Sequence, residues 1–324
     1  MTAHVSRRHL LAGLAGAAAV AGVAPARKAL AQSATPSLTP QPAIYSRPVG
    51  DMTLTTLLDG SFAVQPQMLT NIDPATKDQL LTDAFLAPGG PVPVAISAHL
   101  LSGPGGLTLI DAGAGAFFGP AGGRLTAALA AIGVAPEHID RIVLTHMHSD
   151  HVGGLVTDGA VTFPNATLHV HANELGFWTN ETIRANAPEI AQPTFQRAQI
   201  VMNAWADRTE TFSGDNGDLG GGLTTVDMSG HTPGHTGFRI ASSDEQLIVW
   251  GDLTGIAALQ FTRPETGLVF DIDGEASSQA RRRVHDMVAA DRIAVAGTHL
   301  PFPGVGYVDR RGDEYAWVPE EWRA

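Results

Sequence analysis

The chain has 324 residues, 44% of them hydrophobic and 16% charged, which is enough to bury a core of full domain size and excludes a disordered chain or a mini-scaffold. It has no Cys, so disulfides, thiolate metal ligands and a cysteine nucleophile are all excluded. A formal charge of −12 with only two lysines, Lys28 and Lys77, argues against nucleic acid or an anionic membrane as a partner.

Residues 1–31 read as an export signal. Ser6-Arg7-Arg8 precedes an apolar run from Leu10 to Ala26, and Ala29-Leu30-Ala31 offers a small-x-small cleavage site. The arginine pair resembles a twin-arginine signal, which carries folded proteins and predicts a periplasmic or secreted location. The run is short for a membrane helix and no second one follows, so no stable span is expected in the mature chain. Residues 32–50 are read as an extended lead-in and 51–324 as one domain.

Strand-like runs are predicted at Met52–Leu58, Val94–Leu101 and Leu107–Ile110, followed by a helical pattern over Gly123–Ile132. An apolar strand at Arg141–Thr145 comes next, then a strand at Thr167–His171 running into a helix at Ala172–Trp178. A helix containing one proline is expected within Ala187–Trp205. Strands recur at Leu223–Met228, Gly237–Ala241 and Gln246–Trp250, then a strong helix at Glu275–Ala289 and a last strand at Arg292–Ala296. Two groups of strands separated by helices predict an α/β fold in which two sheets pack together under outer helices.

The chemistry lies in the 13 histidines. His146-Met147-His148-Ser149-Asp150-His151 directly follows the apolar strand. His146 and His148 point the same way in extended backbone. Asp150 and His151 follow where the chain turns into a helix. Imidazole and carboxylate are ligands that suit zinc. One segment cannot surround a metal pair, and three other places offer a ligand just past a strand end: Gly230-His231-Thr232-Pro233-Gly234-His235, Trp250-Gly251-Asp252 and Gly297-Thr298-His299.

Taken together and in this order, these segments resemble the metallo-β-lactamase superfamily, and Asp111-Ala112-Gly113 is similar to that family's early strand-end aspartate. Phe117-Phe118-Gly119-Pro120, Phe163-Pro164-Asn165-Ala166 and His299-Leu300-Pro301-Phe302-Pro303-Gly304 resemble its methyl parathion hydrolase branch, which is related to quorum-quenching lactonases. The resemblance implies an αββα sandwich holding two divalent metal ions, Zn2+ by preference. His146, His148 and His231 would hold the first, Asp150, His151 and His299 the second, and Asp252 would bridge them. His231 and His235 compete for one place; the motif favours His231 and leaves His235 to hydrogen bonding or packing.

A metal-activated water would attack a carbonyl carbon or phosphorus, with Asp150 or Asp252 accepting or relaying a proton. Asp111 would orient a ligand histidine. Phe118, Trp178 and Phe195 match aromatic positions of that branch's substrate pocket, and Leu253 follows the bridging aspartate. The substrates implied are small uncharged lactones, aryl esters or organophosphate triesters, with a homodimer as the assembly. One alternative is an acyl homoserine lactone lactonase, although the tyrosine often found near the bridging aspartate is replaced by Leu253-Thr254-Gly255. A second is a mononuclear iron dioxygenase of the same fold, and a third is a non-enzymatic metal-sequestering protein.

Overall fold

The computed structural model describes residues 41–322. The segment read as an export signal, and residues 32–40 of the lead-in, lie outside the described residues. The first sheet takes its strands in chain order: β1 (Ile44–Val49), β2 (Met52–Val64), β3 (Val92–Gly103), β4 (Gly106–Ile110), β5 (Arg141–Val143), β6 (Thr167–His171) and β7 (Thr209–Phe212). The second does the same with β8 (Asp218–Gly220), β9 (Leu223–Asp227), β10 (Thr236–Ser242), β11 (Glu245–Val249), β12 (Ala294–Ala296), β13 (Val305–Arg311) and β14 (Glu314–Pro319). In the first sheet β1 to β4 pair antiparallel and β4 to β7 parallel. In the second only β11 and β12 are parallel. The helices are α1 (Pro74–Asp83), α2 (Leu125–Ala131), α3 (Ser149–Val152), α4 (Ala172–Trp178), α5 (Glu181–Asn186), α6 (Gln192–Trp205), α7 (Ala257–Gln260) and α8 (Gly274–Ala290).

The layering follows from strands that are apolar on both faces. Successive side chains of a strand point to opposite sides. Leu109 and Ile142 therefore pack outward against α2 and α6, where they meet Leu125, Leu129, Phe195 and Val201. Their neighbours Ile110 and Val143 point inward and meet Phe238, Leu247 and Val249 from the second sheet. Ile248 and Val295 point out of the other side onto Ala280, Val284 and Val288 of α8. The result is helix, sheet, sheet, helix, the predicted αββα sandwich. None of the helices among the described residues is long and apolar enough to cross a membrane.

Two differences from the sequence reading have local causes. The last part of the expected lead-in is β1, paired with β2 along its whole length. Its alternation is carried by Tyr45, Arg47 and Val49, which are buried, and the charge and Pro48 hide it. Proline is tolerated there because β1 is an edge strand. Next, β2 runs on past Leu58 because Asp59-Gly60, a turn-like pair in sequence, forms a bulge against β3. Glycine is required at the bulge, since a Cβ on Gly60 would lie 2.1 Å from the Ala121 carbonyl oxygen. The helix expected within 187–205 is α6, which opens at Gln192 with Pro193 in its first turn, where proline costs no hydrogen bond.

Candidate metal centre and its cavity

The ligand-type residues reach one place because four strands end there. β5 runs into residues 144–148 and α3, which carry His146, His148, Asp150 and His151. The turn between β9 and β10 carries His231, the end of β11 carries Asp252, and the end of β12 carries His299. The first sheet thus supplies four of these residues and the second three. They form two groups, His146, His148, His231 and Asp252 in one and Asp150, His151 and His299 in the other, with each group's ligand atoms within 4.8 Å of one another.

The carboxylate of Asp252 lies between the groups. Its Oδ1 is 3.0 Å from His151 Nε2, and its Oδ2 is 3.1 Å from His299 Nε2, 3.3 Å from His231 Nε2 and 3.7 Å from His146 Nε2. Asp150 Oδ2 is 3.4 Å from His299 Nε2. His231 Nε2 and His148 Nδ1 approach to 3.0 Å.

The donor set fits a pair of divalent cations. Among the described residues, His146 Nε2, His151 Nε2 and Asp252 Oδ1 are buried and make no hydrogen bond, although the last two approach each other, a costly arrangement unless something else satisfies them. The outward ring nitrogens are mostly fixed. His151 Nδ1 donates to Asp111 Oδ2 at 2.8 Å, His231 Nδ1 to Asp271 Oδ1 at 2.7 Å and His299 Nδ1 to the Ala95 carbonyl at 2.6 Å. Each bond sets the tautomer that leaves Nε2 a lone pair for the centre.

Charge tells the same story. Burial alone would push every imidazole down. For His231 the hydrogen bonds to Asp252 and Asp271 overcome it and carry the ring up to about 9. For His151, Asp252, Asp111 and Asp150 do the same and hold it well above its ordinary value. His146 and His148 stay well below theirs, through burial and the neighbouring imidazoles. Burial opposes the charge on Asp252, but His299, His151 and His146 hold it well below the usual carboxylate range. Such a centre carries buried negative charge that only protons or cations can balance, and cations displace the protons when they bind.

Asp111 accepts from the Thr145 amide and hydroxyl as well as from His151, which ties the end of β4 to the ligand loop. His235 is placed outside the ligand groups: its Nδ1 donates to the Met228 carbonyl and its Nε2 accepts from the Asp252 amide at 3.2 Å. Sequence reasoning missed two acids. Asp271, in a loop before α8, orients His231 and accepts from the Leu268 amide. Glu174 on α4 is fully buried and accepts from the Met147 and Gly234 amides and the Trp178 indole. Only the spacing of Glu174 and Trp178, four apart on one helix face, hinted at such a role. Asp271→Asn is expected to weaken metal binding by about 10- to 100-fold while leaving the fold intact, measured by competition with a chromophoric chelator.

A cavity of about 280 Å3 opens over the centre, lined by His148, Asp150, His231, Asp252 and His299 and by an apolar wall that includes Phe62, Val94, Phe118 and Ile256. Phe118 lines this cavity. The other three expected pocket residues are not on this wall. Trp178 and Phe195 are 2% and 1% exposed, pack against each other with tilted rings 4.7 Å apart, and line a neighbouring cavity that shares His148, Ile190, Thr194 and Phe270 with the first. Trp178 is held there by its bond to Glu174 and its edge contact with the His148 ring. Leu253 packs in the core beneath α8, because the turn after Trp250 directs it away from the cavity.

The profile of the metallo-beta-lactamase superfamily matches residues 91–299. Among curated proteins, ribonuclease Z of Mycobacterium sp. (strain KMS) is 28% identical over 185 residues, 54% of this chain and 62% of that protein. N-acyl homoserine lactonase AttM of Azorhizobium caulinodans is 32% identical over 113 residues, 34% of this chain and 39% of that one. The chain thus spans less than two thirds of the length of these relatives. Among solved structures, the hydrolase AbOPH of the beta lactamase superfamily superposes with a TM-score of 0.82 at 31% identity, covering 89% of this chain and 100% of that one. AidC, a dizinc quorum-quenching lactonase in complex with a homoserine product, gives a TM-score of 0.82 at 26% identity over 87% and 99% of the two chains.

Proposed function

The chain belongs to the metallo-beta-lactamase superfamily and is a metal-dependent hydrolase, and from that premise we propose an exported binuclear zinc enzyme that hydrolyses small lactones, aryl esters or phosphotriesters. The observation that carries this reading is the gathering of seven ligand-type side chains, five of which line an apolar cavity and three of which bury a polar atom that makes no hydrogen bond among the described residues. When bound, two divalent cations would activate a water at neutral pH and polarise the substrate oxygen.

The protein's own part is binding, orientation and proton transfer. Phe62, Val94, Phe118 and Ile256 would hold an apolar acyl or aryl group and keep bulk water off the reacting bond. Asp252, kept ionised by the imidazoles around it, and Asp150, 3.4 Å from His299, are placed to take a proton from the attacking water and return it to the leaving oxygen. Opening a lactone in this way adds water across the ring ester and yields a hydroxy acid. The acidic, lysine-poor composition supports such substrates over the RNA suggested by the ribonuclease Z likeness. Arg7-Arg8 and the apolar run behind them support a periplasmic or secreted enzyme.

The test is a panel of a γ-lactone, an acyl homoserine lactone, an aryl acetate and a phosphotriester on zinc- and cobalt-loaded protein. About two zinc ions per chain are expected, with turnover of at least one member. His148→Ala should lower every active reaction together by more than about 100-fold. A single iron per chain with oxygen-dependent turnover would instead select the dioxygenase.

A further inference from the structure

We propose that Arg197 makes the cavity selective for lactones and esters that carry a hydrogen-bond acceptor, an amide carbonyl or a carboxylate, on the apolar body of the substrate away from the scissile bond. The proposal rests on the hydrolase reading above and narrows its substrate class.

Among the described residues, Arg197 is the sole Lys or Arg lining the cavity over the metal centre. It stands on α6 one turn beyond Pro193 and Thr194, which line the same cavity, so one face of that helix forms part of the wall. The guanidinium lies 5.3 Å from the ring centre of Phe117 and 5.8 Å from that of Phe118, and its Nη2 donates to the Phe117 carbonyl at 3.2 Å. No carboxylate pairs with it in any ion pair among the described residues. The charge is therefore held in place by two rings and one carbonyl but is not neutralised by the protein.

Its surroundings raise the value of a partner. The neighbouring wall is aromatic and aliphatic, and a half-buried guanidinium there has lost part of its water. A planar donor fork in such a place favours a carbonyl or carboxylate acceptor over plain hydrocarbon. The position of the fork fixes which part of the substrate it reads. Phe118 meets Phe62 edge-on at 5.9 Å, and Phe62 meets the His299 ring edge-on at 5.3 Å. Along this wall the contacts run from Arg197 through Phe118 and Phe62 to the ligand His299, and on that path the group the fork binds is offset from the one being hydrolysed.

The experiment compares wild type, Arg197→Met and Arg197→Lys on two matched pairs. One pair is 4-carboxyphenyl hexanoate and phenyl hexanoate; the other is a γ-lactone bearing a hexanoylamino group and one bearing a hexyl group. Taking the ratio of kcat/KM within each pair, and then between enzymes, cancels intrinsic reactivity. The acceptor preference should fall by about 10- to 100-fold in Arg197→Met for at least one pair, mainly through KM, with metal content unchanged. Arg197→Lys should keep part of it. Binding of 4-(hexyloxy)benzoate, which has no ester to cleave, should weaken by a similar factor in calorimetry. If Arg197→Met fails to fold, Arg197→Gln and the benzoate titration carry the same comparison. Turnover of both pairs with an unchanged preference would overturn the proposal and leave the hydrolase reading intact, whereas no turnover of any of the four by fully metal-loaded wild type would sink both.

Discussion

Asp252→Ala is expected to abolish hydrolysis, with kcat/KM falling by on the order of a thousandfold or more and metal content dropping from about two ions per chain to one or fewer. The reason lies in how many groups share this carboxylate. Its two oxygens lie within 3.7 Å of ring nitrogens on His146, His151, His231 and His299, drawn from both ligand groups. Among the described residues no other carboxylate lies within 4.0 Å of imidazoles from both groups. Without it, two cations would face each other across a gap with no shared anion, and their repulsion in a buried site would be severe. Asp252→Asn separates charge from shape, since the amide keeps the size and one acceptor oxygen but not the charge. It should fold as wild type by circular dichroism and still lose metal and activity. Full metal occupancy and full rate in either variant would remove Asp252 from the bridging position.

The second large effect is expected at a residue that touches no ligand atom. Glu174→Ala should destabilise the protein by roughly 3–6 kcal/mol, because three buried donors lose their acceptor at once. Two of those donors lie one on each ligand loop, and the third is on α4 itself. Oε2 accepts from the Met147 amide, between His146 and His148, and from the Trp178 indole. Oε1 accepts from the Gly234 amide, between His231 and His235, at 2.7 Å. Burial pushes the Glu174 carboxyl up from its ordinary value while these donors pull it back. The variant should show a lower denaturation midpoint and weaker metal binding in the protein that remains folded. Unchanged stability would mean that the loops are held together elsewhere. Glu174→Gln, which keeps one acceptor oxygen, should fall between the two.

The parts of this molecule that were legible in the sequence are those in which neighbours in the chain are neighbours in space. His146 to His151 could be read as a ligand cluster because a strand end and a four-residue helix bring them together without help from elsewhere. β6 was legible from the alternation of Leu168 and Val170 with polar neighbours, and β11 from the unbroken apolar run Leu247-Ile248-Val249. The remote ligands were found only through their places after strand ends and the family resemblance. What stayed hidden depends on direction rather than on residue type. Trp178 and Phe195 are aromatic and close to the centre, yet the bond to Glu174 and the packing of α6 turn them into an adjoining space. Leu253 follows Asp252 directly but faces the opposite way, and its carbonyl is held by the buried Arg281. Asp271 is one of many loop acids, and no local pattern ties it to a histidine 40 positions earlier.

Because both sheets take up their strands consecutively, the polypeptide divides into a leading and a trailing portion near residue 215, and the ligands divide with it. Neither portion owns a complete coordination sphere. Ions bound at the junction would act as a rivet through the face where the two portions meet, so keeping the enzyme assembled and equipping it to react would be one and the same event.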